Sequence, residues 1–202
     1  MSLVNALTLI VAGPQGSGKD TQVALLKEFL QIHDPSRRVV HFDAGTALRA
    51  YAKHEGVVPA RVQEILLAGE LVPGFITSQV ATEYLMGELV GGEAHIMISG
   101  FPREIAQLLI LDQLLRFYKR TEPTILYINI TDEVAIKRAL LRGRHDDTEE
   151  SIKKRLAWTK SSVGKVMDWC REQSDYYRYT EIQGEQTIEK VQQEILQKLD
   201  LV

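Results

Sequence analysis

Gly13, Gly16 and Gly18 lead into Lys19 at the spacing Gly-x4-Gly-Lys, directly after the apolar run Leu7–Ala12. Glycines let successive backbone N–H groups turn toward one point, and a helix starting at Lys19 adds the partial positive charge of its N-terminus. A lysine placed there can reach the outer phosphates of a polyphosphate. Strand, glycine loop, lysine and helix in this order form a P-loop, whose ligand is a nucleoside triphosphate. The candidate cradle is therefore Gly13, Pro14, Gln15, Gly16, Ser17, Gly18, Lys19, Asp20 and Thr21. Asp20 departs from the pattern. A Ser or Thr hydroxyl normally follows the lysine and meets Mg²⁺, but here Thr21 comes one place later. A carboxylate about 4 Å from a phosphate charge costs about 4 kcal/mol at an effective dielectric of about 20. Mg²⁺ between the two reverses that sign. Asp20 is thus a candidate Mg²⁺ contact, set against the plainer account of an acid favoured on a helix's first turn.

Arginines make up the second chemical set. The segment Asp43-Ala44-Gly45-Thr46-Ala47-Leu48-Arg49 follows a strand-like run and puts Arg49 on the first turn of a helix. Ser99-Gly100-Phe101-Pro102-Arg103 ends another run in a sharp turn, with Gln107 four residues beyond. A helix beginning near Arg103 would put Arg103 and Gln107 on one face. A guanidinium suits a monophosphate and a carboxamide suits a purine edge. Further on, Arg142, Arg144 and Arg155 flank one short loop containing Asp146 and Asp147. Three like charges so close need an anion or the paired aspartates among them. The aspartates also fit capping of a helix that runs from Thr148 to about Glu172. Taken singly, each of these residues is more often a solvated surface charge. Trp158, Trp169, Tyr176, Tyr177 and Tyr179 read as packing, and the histidines show no ligand spacing.

Strand-like runs at Leu7–Ala12, Arg38–Phe42, His95–Ser99, Ile125–Ile130 and Tyr179–Ile182 alternate with helical segments and position these side chains. That alternation implies parallel strands joined by right-handed crossovers, in three α/β layers. Ligands of such folds bind at the carboxyl edge of the sheet, where Lys19, Arg49 and Arg103 all fall. Between the second and third runs lie about fifty residues with helical stretches near Thr46–Lys53, Ala60–Ala68 and Pro73–Val90. They read as a helical insertion that could close over a site. Gly184 follows the last strand and could touch a base through its backbone, and Thr187–Leu199 reads as an amphipathic closing helix.

The 202 residues suit a single domain with small excursions. A net charge of −3 argues against a nucleic-acid partner. One cysteine, Cys170, excludes an internal disulfide and a four-Cys zinc site. No apolar run approaches the ~18 residues of a membrane span, and the N-terminal run has no basic flank of a signal peptide. A cytoplasmic setting is expected.

The order of the P-loop, Ala44-Gly45-x3-Arg49, Gly69-Glu70-Leu71-Val72-Pro73, Gly100-Phe101-Pro102-Arg103-x3-Gln107 and Arg144-x-Asp146-Asp147 resembles the adenylate kinase family of nucleoside monophosphate kinases. The likeness runs from about Leu7 to Val191. It implies a five-stranded parallel sheet in order 2-3-1-4-5, a monophosphate-binding insertion over residues 43–90 and a very short lid over 143–147. By the same resemblance, Lys19 and the loop Gly13–Thr21 hold ATP, Arg138 lies over its base and Gly184 is nearby. Ala44, Gly45, Arg49, Val72, Gly100, Arg103 and Gln107 form the monophosphate site, with Gln107 reading adenine. Arg142, Arg144 and Arg155 surround the transferring group, and Asp146 and Asp147 orient them. The implied reaction is reversible phosphoryl transfer from MgATP to AMP, by a monomer without zinc. Three departures stand out. The family's Asp before Gly-Phe-Pro-Arg is Ser99, and a Thr that often lines the AMP site is Ala44, as in the pyrimidine (UMP/CMP) kinases. Only Gly143 separates Arg142 from Arg144. Ala44 keeps a UMP/CMP kinase open, and Ser99 keeps open a non-catalytic nucleotide-binding protein. A switch GTPase is disfavoured, because no Asn-Lys-x-Asp guanine motif occurs.

Overall fold

A computed structural model describes residues 5–91, 93–143 and 148–202. Five parallel strands form one sheet in the order β2-β3-β1-β4-β5, as the resemblance implies. They are β1 (Thr8–Ala12), β2 (Val39–Asp43), β3 (His95–Ser99), β4 (Thr124–Asn129) and β5 (Arg178–Gln183). Central β1 and β3 are almost wholly buried because helices cover both faces, whereas edge strand β2 alternates.

The two-residue period of the strands sorts the core into two layers. Ile10, Phe42, Ile96, Ile98 and Ile125 point to one face and join Leu85 of α4 (Gly74–Glu88), Leu108 of α5 (Ile105–Phe117) and Val166 of α8 (Gly164–Glu172). Leu9, Val11, Met97, Leu126 and Ile182 point to the other and meet α1 (Lys19–His33) through Leu26 and α9 (Ile188–Lys198) through Ile195. Each such side chain contributes about 1.5–3 kcal/mol by leaving water. This sandwich fixes the strand ends, and hence the loops that carry the chemistry.

The stretch between β2 and β3 holds α2 (Ala44–Tyr51), α3 (Val57–Leu67) and α4. Leu48, Val62, Val72 and Ile76 give these helices a small core of their own. After β4 come α6 (Asp132–Arg142), capped by the Thr131 hydroxyl, and α7 (Glu149–Trp158).

Three sequence expectations change here. The helix carrying Gln107 begins at Ile105, so Arg103 lies before it, outside the helix, and shares no helical face with Gln107. The expected single helix from Thr148 to Glu172 is interrupted by a π-turn over Thr159–Val163, between α7 and α8. Thr148, not an aspartate, caps α7, in a reciprocal box with Ser151. Among the described residues no helix is long and apolar enough to cross a membrane.

Candidate active site

The loop between β1 and α1 owes its shape to glycine. Gly16 has φ +83°, and a Cβ there would meet the Ala135 carbonyl oxygen at 2.8 Å; Gly18, at φ +90°, leads directly into Lys19. The Lys19 ammonium spans the loop, donating to the carbonyls of Gly13 at 2.8 Å and Pro14 at 2.7 Å and to the Ser17 hydroxyl at 3.3 Å. Burial pushes Lys19 down to about 8, with Arg103 and Arg142 adding to the fall and Asp20 and Asp43 opposing it. Such an amine gains strongly from an anion. Asp20 and Thr21 follow on the exposed first turn of α1.

One cleft of about 350 Å³ extends from this loop across the carboxyl edge of the sheet. Gly13, Gln15, Gly16, Gly18, Lys19, Asp20 and Thr21 line one end, and Gly45, Arg49, Gly100 and Arg103 the other. Arg138, Arg142 and Arg155 also line it. Each arginine is placed by a different element. Arg49 stands on the last turn of α2, not the first turn expected from its place after the strand, and its guanidinium folds back over Gly45, where a Cβ would come within 3.3 Å of it. Arg103 leaves the turn after β3 and lies over the Trp158 ring, 5.0 Å from its centroid. Burial pushes Arg103 down to about 10; Asp43 opposes this, and nearby Arg155 and Arg49 add to it. It is still charged at neutral pH. Arg155, on α7, donates from Nη1 to the Gln15 carboxamide oxygen at 3.2 Å, tying α7 to the P-loop. Arg138 donates to the Gly184 carbonyl at 2.9 Å, so those two candidates also meet.

Four candidates sit behind this wall. Ser17 is buried under Lys19, and Ala44 is buried against Gly100. Val72 belongs to the small core beneath α2 and α4. Gln107 is buried as well, and its side-chain oxygen accepts the Arg103 backbone N–H at 2.7 Å. It therefore sets the turn that presents Arg103. Arg144, Asp146 and Asp147, most of the expected lid, lie outside the described residues.

Among the described cleft residues that are neither candidates from sequence nor part of the family motifs, three carry polar or aromatic side chains. Trp158 was assigned to packing, yet it lines the cleft under Arg103. Thr159 enters with the π-turn, its hydroxyl donating to the Arg155 carbonyl at 2.7 Å. Asp43 stands at the end of β2, accepting from the Thr46 N–H at 2.7 Å and from the Ser99 hydroxyl at 3.1 Å. A carboxylate closing a strand at the ligand-binding edge was the one available signal for it.

A parallel sheet in this order, with a phosphate loop after β1 and cations gathered over its carboxyl edge, defines a P-loop nucleotide-binding protein of the α/β class. Comparison with known proteins narrows that class. The adenylate kinase family model matches residues 11–175. Adenylate kinase 1 of Nostoc sp. is 32% identical over 187 residues, covering 93% of this chain and 95% of its own. The adenylate kinase of Prochlorococcus marinus (strain MIT 9211) is 31% identical over 194 residues, covering 96% and 97%. That of Corynebacterium urealyticum is 28% identical over 194 residues, covering 96% and 99%. The chain belongs to the adenylate kinase family and is an enzyme of the nucleoside monophosphate kinase class.

Proposed function

We propose that the enzyme reversibly transfers the terminal phosphoryl group of MgATP to AMP, giving two ADP. One observation carries this reading: a single cleft has a P-loop lysine at one end and two arginines, Arg49 and Arg103, at the other. Simple ATP binding would need only the first. In-line transfer asks for donor and acceptor held end to end, with cations where charge develops on the moving group.

In this reading the loop Gly13–Thr21 cradles the ATP phosphates through its N–H groups and Lys19. Arg138, beside Gly184, lies along the ATP base. Arg49 and Arg103 clamp the acceptor's phosphate, and Gln107 fixes Arg103 from behind while facing the purine side. Arg142 and Arg155, with Arg144, balance charge on the group in transit; Asp146 and Asp147 orient that lid cluster. Residues 43–90 act as the monophosphate-binding element and 143–147 as the lid, whose closure keeps water from accepting the phosphoryl group. No role above calls for a residue of a second copy, so the enzyme is read as a monomer.

Mg²⁺ fits the residues present. Among the described residues no three His, Cys, Asp or Glu side chains gather to hold a metal ion by themselves. Mg²⁺ on a nucleotide needs only one or two carboxylates beside the phosphates, and Asp20, Thr21 and Asp43 offer hard oxygen atoms in the cleft. When bound, it neutralises charge on the outer phosphates.

Initial rates of ADP formation with AMP, dAMP, UMP and CMP test the reading. AMP should be preferred. Ala44 and the engaged Gln107 oxygen favour a pyrimidine acceptor as the second reading, and CMP turnover equal to that of AMP would decide for it.

A further inference from the structure

We propose that Asp43 is the metal-side carboxylate of this enzyme, standing across from Ser99 on the adjacent strand and supplying the negative oxygen that position 99 lacks. The assignment rests on the kinase reading above. Asp43 and Ser99 are directly paired residues of parallel strands β2 and β3, so their side chains leave neighbouring points of the same sheet edge, about 4.8 Å apart. The two are joined: the Ser99 hydroxyl donates to Asp43 Oδ2 at 3.1 Å. The carboxylate thus stands one strand spacing away from position 99.

The surroundings fit a carboxylate built to present an oxygen to the cleft. Ser99 is buried, whereas Asp43 is half-buried and lines the cleft together with Lys19, Asp20 and Thr21. The contact of His41 Nε2 with Ser99 Oγ at 3.0 Å continues the chain. Because the Ser99 proton points to Asp43, His41 is the donor in that contact. This relay and the Thr46 N–H fix the orientation of the carboxylate. With the Thr46 hydroxyl they use about three of its roughly four accepting positions, and the last remains for the cleft. Burial raises the Asp43 carboxyl, but bonds from Thr46 and Ser99 outweigh it and leave it below the ordinary carboxylate range. An anion so placed opposes phosphates unless a cation lies between, and Mg²⁺ is the cation that takes carboxylate and phosphate oxygens together.

The plainer account makes Asp43 only the cap of α2. Asn or Ser would cap that helix nearly as well, so replacing the charge while keeping a capping oxygen separates the two accounts. Asp20, exposed on the first turn of α1, is the other carboxylate near Lys19, and Asp20→Gly is the control for it.

The test is ATP binding by titration calorimetry, with Mg²⁺ and with EDTA, plus the Mg²⁺ concentration for half-maximal ADP formation. Asp43→Asn, Asp43→Ser and the double exchange Asp43→Ser/Ser99→Asp are compared with the unmodified enzyme. Both single variants should bind metal-free ATP at least as tightly as the unmodified enzyme. They should lose the Mg²⁺-dependent gain and need about 10- to 100-fold more Mg²⁺. The double exchange should recover most of that loss. Weakening of ATP binding to the same extent with and without Mg²⁺ would overturn the assignment and leave a cap. An unchanged Mg²⁺ requirement would overturn it too, as would a larger effect from Asp20→Gly. If the unmodified protein transfers no phosphoryl group to any monophosphate, the underlying reading fails instead.

Discussion

Arg155 separates chemistry from binding most cleanly. It belongs to α7 and donates to the Gln15 side chain, whereas the ATP cradle consists of the loop N–H groups and Lys19. Arg155→Ala should lower kcat by ~10²–10³-fold, the scale for removing one preorganised donor, with little change in ATP affinity. Normal turnover would reduce it to a tether between α7 and the P-loop. Gln107 works through a neighbour. Its oxygen holds the Arg103 N–H, so Gln107→Ala should loosen the Arg103 turn and raise KM for AMP by roughly tenfold, the worth of about one hydrogen bond. The KM for ATP should move little; equal increases would place Gln107 outside the acceptor side. Most of these residues were legible because their types are costly in a sheet-edge cleft unless they meet anions. Asp43 was not. An Asp between a strand and a helix reads as an N-cap, which it also is, and only strand pairing reveals that Ser99 lies opposite.

At the scale of elements, the strands were readable because two-sided burial demands continuous apolar runs, as in His95–Ser99. The start of α5 was not. Gly100 at φ +70° and extended Glu104 carry the chain over the sheet edge before the helix can form, and that length depends on tertiary placement. The π-turn was equally hidden, since Thr159–Val163 contains no proline or central glycine to announce it. It brings Thr159 and Val163 to the cleft beside Trp158. The amino ends of the strands have their own tie. Buried Arg120 donates to the Thr8 hydroxyl at 2.8 Å and to the carbonyls of Leu7 at 2.8 Å and Ala6 at 3.1 Å. Arg120→Met keeps the bulk but removes the donor to Ala6 and Thr8, while the Leu7 carbonyl keeps the Ile96 N–H at 2.8 Å, and should cost about 1–3 kcal/mol of stability. Chemical denaturation would measure this; a loss within error of zero would mean that water replaces the guanidinium. Turnover well below the melting temperature should be unaffected, because Arg120 lies at the edge opposite the cleft.

For the whole molecule, the two sheet edges divide the labour: cations converge at the carboxyl edge, and a buried polar network pins the amino edge. There the Leu7 N–H donates to His95 Nδ1 at 3.0 Å, so the ring proton sits on Nε2, which faces Asp34 at 3.2 Å. Burial lowers His95 from 6.5, more than Asp34 raises it, and the unfolded chain takes up the proton first. Its contribution to stability is complete above about 6.5 and declines as pH falls below that value. His95→Gln should therefore flatten the stability loss between pH 7 and pH 5; an unaltered slope would mean that His95 already carries its proton when folded. None of this bears on which reaction is run. The most direct test of that is to give the enzyme MgADP alone, since disproportionation fills both ends of the cleft with one nucleotide and needs no other substrate. The account predicts ATP and AMP appearing in equal amounts. ADP that stays unchanged, or that releases inorganic phosphate without forming ATP, would contradict it.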